Sequence, residues 1–253
     1  MQDIRIVFLG TSAGTPTRER NVAGVAVVLD GRVLLLDCGE GTQHQFLRAP
    51  VRSGALEAIF ISHLHGDHLF GLPGLLASLG LQGRVAPLTV FGPAGLRAYL
   101  ESIPYGGRSY PVTVVEIEAG EVHRGDGYRV FTASLEHSAP CFGFAIVEDD
   151  HRGPFDPDRA RTLGVPAGPL FARLHRGEDV TLDDGRVVRS SEVVGPSRRG
   201  RRVVYCTDTR PCAAAIGLAR DADLLVHEAT YANELAAEAA ERHHSTAAEA
   251  AAV

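Results

Sequence analysis

His63-Leu64-His65-Gly66-Asp67-His68 packs three imidazoles and a carboxylate into six residues. It follows directly on the apolar run at 56–61, which reads as a short strand, and precedes 69–81, which reads as a helix. Such a density of polar groups is costly to leave unpaired, and imidazole and carboxylate are ligand types that zinc prefers. A loop at the end of a strand can aim His63 and His65 at one ion and Asp67 and His68 at a second. Gly66 is expected to let the chain turn between the two pairs.

One such motif cannot complete two tetrahedral sites, so further ligands are expected at later strand ends. His137, in Leu135-Glu136-His137-Ser138, and Asp208, in Tyr205-Cys206-Thr207-Asp208-Thr209, each follow an apolar run and meet that requirement. A carboxylate such as Asp208 can bridge two metals, which an imidazole rarely does. Two metals about 3.5–4 Å apart form a hydrolytic device suited to phosphodiesters. The ligand types favour zinc, with manganese and iron as alternatives.

Outward from the motif, residues 4–9, 24–29 and 33–37 read as strands, with Asp30-Gly31 as a hairpin turn. Residues 40–48 read as a helix, 88–91 and 112–117 as strands around a helix at 93–102, and 128–135 and 141–147 as two more strands. The pattern returns with a strand at 202–206, a helix from Pro211, a strand at 223–226 and a helix over 231–242. Periodicity alone gives an α/β chain with much antiparallel sheet. The order fits an αββα sandwich, two sheets face to face with helices outside. Residues 150–200 are rich in Gly, Pro, Arg and Asp and read as an inserted arm in a single domain spanning 1–253.

The net charge of −6 argues against a protein that holds nucleic acid through an overall positive field. Local charge differs: all 25 basic residues are arginine, and residues 150–202 hold 11 Arg against 8 Asp plus Glu. The apolar runs at 23–29 and 33–36 are broken far short of the roughly 18 residues of a membrane span. The first five residues carry no signal-peptide pattern. The four cysteines lack CxxC spacing, and three sit in apolar stretches as reduced thiols would. Together these place the protein in the cytoplasm.

At the metal motif the sequence resembles the metallo-β-lactamase superfamily, whose signature is HxHxDH followed by a later His and Asp. Within it the chain is similar to the ribonuclease Z family. Phe8-Leu9-Gly10-Thr11-Ser12-Ala13-Gly14-Thr15-Pro16 resembles that family's first strand and glycine loop, and Pro16-Thr17-Arg18-Glu19-Arg20-Asn21 its PxKxRN loop, with Arg in place of Lys. His227-Glu228-Ala229-Thr230 is similar to its HEAT motif, His244-Ser245-Thr246 to its HST motif, and 150–200, with Gly168-Pro169, to its protruding arm.

The resemblance implies a zinc-dependent endoribonuclease that removes the 3′ trailer of precursor tRNA and leaves a 3′-hydroxyl. It implies two zinc ions per subunit, held by His63, His65, Asp67, His68, His137 and Asp208. Asp67 would act as general base, and Glu228 with His244 would protonate the leaving oxygen. Arg18, Arg20 and Asn21 would sense the CCA sequence, while Gly168 and Pro169 would belong to the arm that holds the tRNA. A homodimer, with one subunit's arm serving the other's site, is implied as well. So is an end of the fold that continues past Val253 and carries a further histidine ligand. Without that ligand the second site is expected to be weak and turnover impaired. The alternatives are a hydrolase of a small phosphodiester, ester or aryl sulfate on the same fold, and a non-catalytic RNA-binding or dimerising protein.

Overall fold

Leu34, Leu35 and Leu36 have essentially no exposed surface, because the strand that carries them is covered on both faces. The computed structural model describes residues 4–103 and 109–253, and the first three residues of the stretch read for a signal peptide lie outside the described residues. A six-stranded sheet runs in chain order: β1 (Ile4–Gly10), β2 (Gly24–Leu29), β3 (Arg32–Leu36), β4 (Leu56–Phe60), β5 (Leu88–Gly92) and β6 (Val112–Glu116). The first three pair antiparallel, and β3 to β6 pair parallel. A five-stranded sheet has the order β13 (Leu224–His227), β12 (Arg202–Cys206), β9 (Phe142–Glu148), β8 (Tyr128–Ser134), β7 (Gly120–Gly125).

Alternation along β3 and β4 splits their side chains between two layers. Leu35 and Ile59 join a cluster with Leu72, Leu75 and Leu79 of α3 (Leu72–Leu81) and Phe46 of α1 (Thr42–Arg48). From the opposite face, Phe60 stacks on Phe91 at 4.8 Å and meets Phe144 of the second sheet at 5.5 Å. The Ser62 carbonyl also accepts from Phe142 N at 3.0 Å. The two sheets are thereby joined at the end of β4, where the histidine motif begins.

Several helices are shorter than the sequence pattern indicates. The helix expected over 69–81 is two: α2 (Gly66–Leu69) and α3, separated where Pro73 fixes the first turn of α3. The expected 93–102 helix is α4 (Leu96–Ser102), entered through Gly95 in a left-handed conformation. Of 231–242 only α8 (Ala236–Glu241) is α-helical, since Tyr231 instead bridges to Thr246. α7 (Ala213–Ala219) is capped by Cys212 Sγ, and α9 (Ala247–Ala250) by a Thr246–Glu249 capping box. Strand β7 escapes sequence reading because its Gly-flanked, charged residues carry no apolar alternation.

The chain separates into two compact units: residues 1–124, 130–146 and 203–253 in one, and 125–129 with 147–202 in the other. The second has a core of its own, which the arm reading did not anticipate. Ala160 of α5 (Pro157–Thr162), Leu174 of α6 (Pro169–His175), and Val180 and Val188 of the hairpin β10 (Val180–Thr181) and β11 (Val187–Val188) pack with Val165 and Val193. These apolar residues are spaced singly among Gly, Arg and Asp, so no window of sequence looks like core. Among the described residues no helix is long and apolar enough to cross a membrane.

Within that second unit the buried carboxylate of Glu148 accepts two hydrogen bonds from the Arg201 guanidinium, both at 2.7 Å, and a third from Arg201 N at 3.1 Å. Burial opposes ionisation of Glu148, but the arginine outweighs it and holds the carboxyl below its ordinary 4.5. A carboxylate lowered on folding stabilises the native state above its unfolded value and loses that contribution as pH falls through the folded one. Arg201→Ala is therefore expected to destabilise the protein by about 1–3 kcal/mol at pH 7, the arginine being partly solvated. In thermal unfolding the gap to the unsubstituted chain should close as pH falls below 4.5. A gap of constant size across that range would count against the pair.

Candidate metal centre

Asp37 follows β3, and its buried carboxylate organises the site, although sequence reasoning passed over it. Oδ1 accepts from Ser62 N (2.7 Å). Oδ2 accepts from the Ser62 hydroxyl (2.9 Å), the Tyr205 hydroxyl (2.9 Å) and His68 Nδ1 (2.8 Å). Burial beside Asp37 pushes the Tyr205 phenol well above its ordinary value, keeping it a donor. Asp37 adopts a left-handed backbone, φ 58°, a conformation Asp tolerates better than most residues.

This network fixes ring orientation. His68 commits Nδ1 to Asp37, which turns its Nε2 toward Asp67 Oδ2 and Asp208 Oδ1, each at 3.3 Å. His63 places Nδ1 on the Ser62 hydroxyl (2.9 Å), so its Nε2 faces His65 Nδ1 at 3.0 Å. His137 Nδ1 donates to the His243 carbonyl (3.2 Å), and its Nε2 faces His65 Nδ1 at 3.3 Å. Asp208 Oδ2 lies 3.6 Å from His63 Nε2 and 3.9 Å from His137 Nε2.

The motif residues, His137 and Asp208 thus converge as two donor groups, His63, His65, His137 and Asp208 in one, Asp67, His68 and Asp208 in the other. In each group the donor atoms lie within 4.8 Å of one another. Three imidazole nitrogens aimed at one point cannot all satisfy each other by hydrogen bonding. Nor can one imidazole neutralise the carboxylates that surround His68. A cation answers both deficits, and the donor set suits metal binding. Burial, reinforced by the neighbouring His68, pushes His63 down to about 3, so its ring is neutral as a ligand must be. His68 moves well above its ordinary value: burial opposes this, but Asp37, Asp208 and Asp67 prevail.

Gly66 serves otherwise than expected. It lies inside α2, and the space a side chain would need is taken by the Phe70 ring. At Gly39 an added Cβ would meet the Asp67 carbonyl oxygen at 2.1 Å, so the backbones there approach too closely for any side chain.

Around the donor groups, Gly14 N donates to Asp67 Oδ2 at 3.0 Å. That bond and His68 together overcome burial and hold Asp67 below its ordinary value. Glu228 accepts from His244 Nδ1 (2.8 Å) and from the backbone N–H of Thr209 and Thr230 (2.9 Å each). Its hydrogen bond raises His244 above 6.5. The rings of His244 and His137 are 5.2 Å apart. His227 turns Nδ1 to the Glu228 carbonyl and leaves its buried Nε2 without a hydrogen-bond partner among the described residues. A cavity of about 410 Å³ opens beside His68 and Asp208 and is also lined by Arg20 and Glu228. Arg18 is exposed, and Asn21 is tied to the Glu40 carbonyl at 2.8 Å. Gly168 and Pro169 belong to the other unit, where they open α6. His243 faces His137 with its carbonyl and is in neither donor group.

A family model described as a β-lactamase superfamily domain matches residues 32–198. A ribonuclease Z from Acaryochloris marina is 49% identical over 96% of this chain and 79% of its own length. One from Gemmatimonas aurantiaca is 50% identical with the same coverage of both chains. Among solved structures, the short form of human tRNase Z is similar at a TM-score of 0.71 and 27% identity, covering 100% of this chain and 87% of its own.

Proposed function

The chain belongs to the ribonuclease Z family of the β-lactamase superfamily, and on that premise we propose how its residues divide the work of a tRNA 3′-processing endoribonuclease. The observation that carries the reading is Asp208, whose two carboxylate oxygens face two different donor groups while Glu228 and His244 stand alongside. Zinc is the proposed metal, two ions per subunit, with His63, His65, His137 and Asp208 holding one and Asp67, His68 and Asp208 the other. Among the described residues the second group offers three protein donors and the first four. Bound zinc supplies Lewis-acid stabilisation of the phosphate charge and acidifies water.

The chain's residues supply the proton transfers and the grip. Water oxygen bonds to the phosphorus after the discriminator nucleotide, its proton passing to Asp67. The bond from phosphorus to O3′ breaks, and His244, oriented by Glu228, gives its proton to O3′. The tRNA keeps a 3′-hydroxyl and the trailer keeps the phosphate. Arg20 in the cavity wall, with Arg18 and Asn21 in the same loop, contacts the RNA 3′ end. Gly168 and Pro169 belong to the unit proposed to grip the folded tRNA body through arginine–phosphate contacts. A homodimer working in the cytoplasm completes the reading; the four free cysteines accord with a reducing compartment.

The test is cleavage of a precursor tRNA with a short 3′ trailer, with added zinc or manganese, beside bis(p-nitrophenyl) phosphate. Accurate cutting after the discriminator nucleotide is expected. Turnover of the small diester alone would favour a small-substrate hydrolase. Asp67→Ala should lose cleavage by about 10²–10⁴-fold while retaining tRNA binding, and an equal loss of binding would count against the role of Asp67 as base.

A further inference from the structure

The segment His243-His244-Ser245 carries the proposed proton donor on a strained support, with His243 in a left-handed conformation at φ 57°. Its three consecutive carbonyls each accept a hydrogen bond. His243 O takes His137 Nδ1–H (3.2 Å), Ser245 O takes Tyr231 N (3.2 Å), and His244 O takes Arg210 Nη1 (2.7 Å). The first two donors are already fixed by a ring of the metal centre and by the backbone. Arg210 is the one donor of the three that comes from a long side chain.

Arg210 is itself held at both ends. Its backbone N donates to the Glu136 carbonyl (2.9 Å), next to His137, and it stands two residues after Asp208. Its guanidinium forks onto Glu249, Nη1 to Oε2 at 2.9 Å and Nη2 to Oε1. Glu249 in turn accepts from Thr246 N at 2.9 Å, and Ser245 Oγ donates to the Thr209 carbonyl at 2.6 Å. The turn that carries Asp208 and the segment that carries His244 are thus fastened together by this planar cation beside the Ser245–Thr209 hydrogen bond. Only arginine has the rigid set of donors to serve a carboxylate twice and a carbonyl once.

We propose that Arg210, braced by Glu249, is a positioning residue that sets His244 relative to the metal centre for protonation of the leaving oxygen. The guanidinium touches the His244 carbonyl rather than its ring, so it acts through His244 and not on substrate. The inference rests on the functional reading above and adds to it the device that aims the acid.

The test uses precursor tRNA with either the natural oxygen or a sulfur atom at the 3′-bridging position of the scissile phosphate. Sulfur departs as a thiolate without needing a proton, whereas oxygen needs one. Arg210→Ala is expected to lower kcat on the oxygen substrate by about 10²-fold, the scale of a mispositioned catalytic group, with KM little changed and cleavage of the sulfur substrate largely preserved. His244→Ala should show the same selectivity, and the double variant no further loss. Arg210→Lys and Glu249→Gln, which disturb the fork less, should give smaller losses of the same selective kind. Equal losses on both substrates, unchanged rates with only a lowered Tm, or additive losses in the double variant would each overturn the proposal. Absence of selectivity in His244→Ala would overturn both the role of His244 and that of Arg210. If the unsubstituted chain cuts a short RNA with these linkages but no precursor, the substrate reading falls. The Arg210 comparison is then decided on the short RNA.

Discussion

Asp208→Ala is expected to deplete both donor groups of metal and to reduce cleavage by well over the roughly 100-fold that marks loss of an outer partner of a metal ligand. The expectation follows from the way one side chain is shared. Its Oδ2 completes the set formed by His63, His65 and His137, and its Oδ1 that of Asp67 and His68. No other residue among the described ones belongs to both groups. His68 and His63 outweigh burial and hold the Asp208 carboxyl far below its ordinary value, so the group is a carboxylate throughout the neutral range. Asp208→Asn is the sharper variant. It keeps the shape and the tolerance for the left-handed φ of 38° but removes the charge. Metal content by elemental analysis, measured beside cleavage, should fall in both variants. Two full equivalents of metal retained by Asp208→Ala would show that the groups are independent.

The second large effect is expected at Asp37, which lies in neither donor group. Asp37→Ala strands the Ser62 N–H and hydroxyl, the Tyr205 hydroxyl and His68 Nδ1, all buried. Leaving such donors unpaired around a removed charge costs about 3–5 kcal/mol, or about 6–20 °C in Tm for a chain of this size. Metal affinity should drop about 10–100-fold as well, because His68 loses the contact that fixes its ring and the Ser62 hydroxyl that orients His63 loses its own anchor. Asp30→Ala is the control. Asp30 shares the left-handed backbone, φ 48°, but sits exposed in the β2–β3 turn, so only the backbone term is lost. Similar Tm losses at both positions would assign the effect at Asp37 to backbone strain rather than to its hydrogen bonds.

The contrast between Asp208 and Asp37 shows what the sequence made legible. His63, His65, Asp67 and His68 stand close together after an apolar strand, and their chemistry is visible in one glance along the chain. His137 and Asp208 become visible once that motif demands partners at later strand ends. Asp37 ends an apolar strand in the same way, yet a single acid before Cys38-Gly39 has no neighbour to raise it above a turn residue. Its partners lie 25, 31 and 168 positions away. The same holds for Arg210 and Glu249, whose fork spans 39 positions. Local pattern also misjudged lengths: the stretch at 231–242 is rich in Ala and Glu, good helix formers, but Tyr231 is drawn into pairing with Thr246 and the helix starts later. At Gly66 the residue was noticed and its reason was not, since crowding by Phe70 is a tertiary fact.

The small core of residues 160–193 has a bearing on how such a protein can change over time. Glu148 N donates to the Arg201 carbonyl at 2.9 Å, so the segment between them starts and finishes at adjacent points of the backbone. A segment closed at its base and filled with its own apolar side chains can be lengthened, exchanged or transplanted as a cassette. Recombination at that one point leaves Asp37, Asp208 and the ring orientations they govern untouched. If residues 147–202 hold the folded tRNA body as proposed, that grip and the chemistry can be selected on separate stretches of one gene, and a chimaera joined there inherits its donor groups from one parent and its grip on the tRNA body from the other.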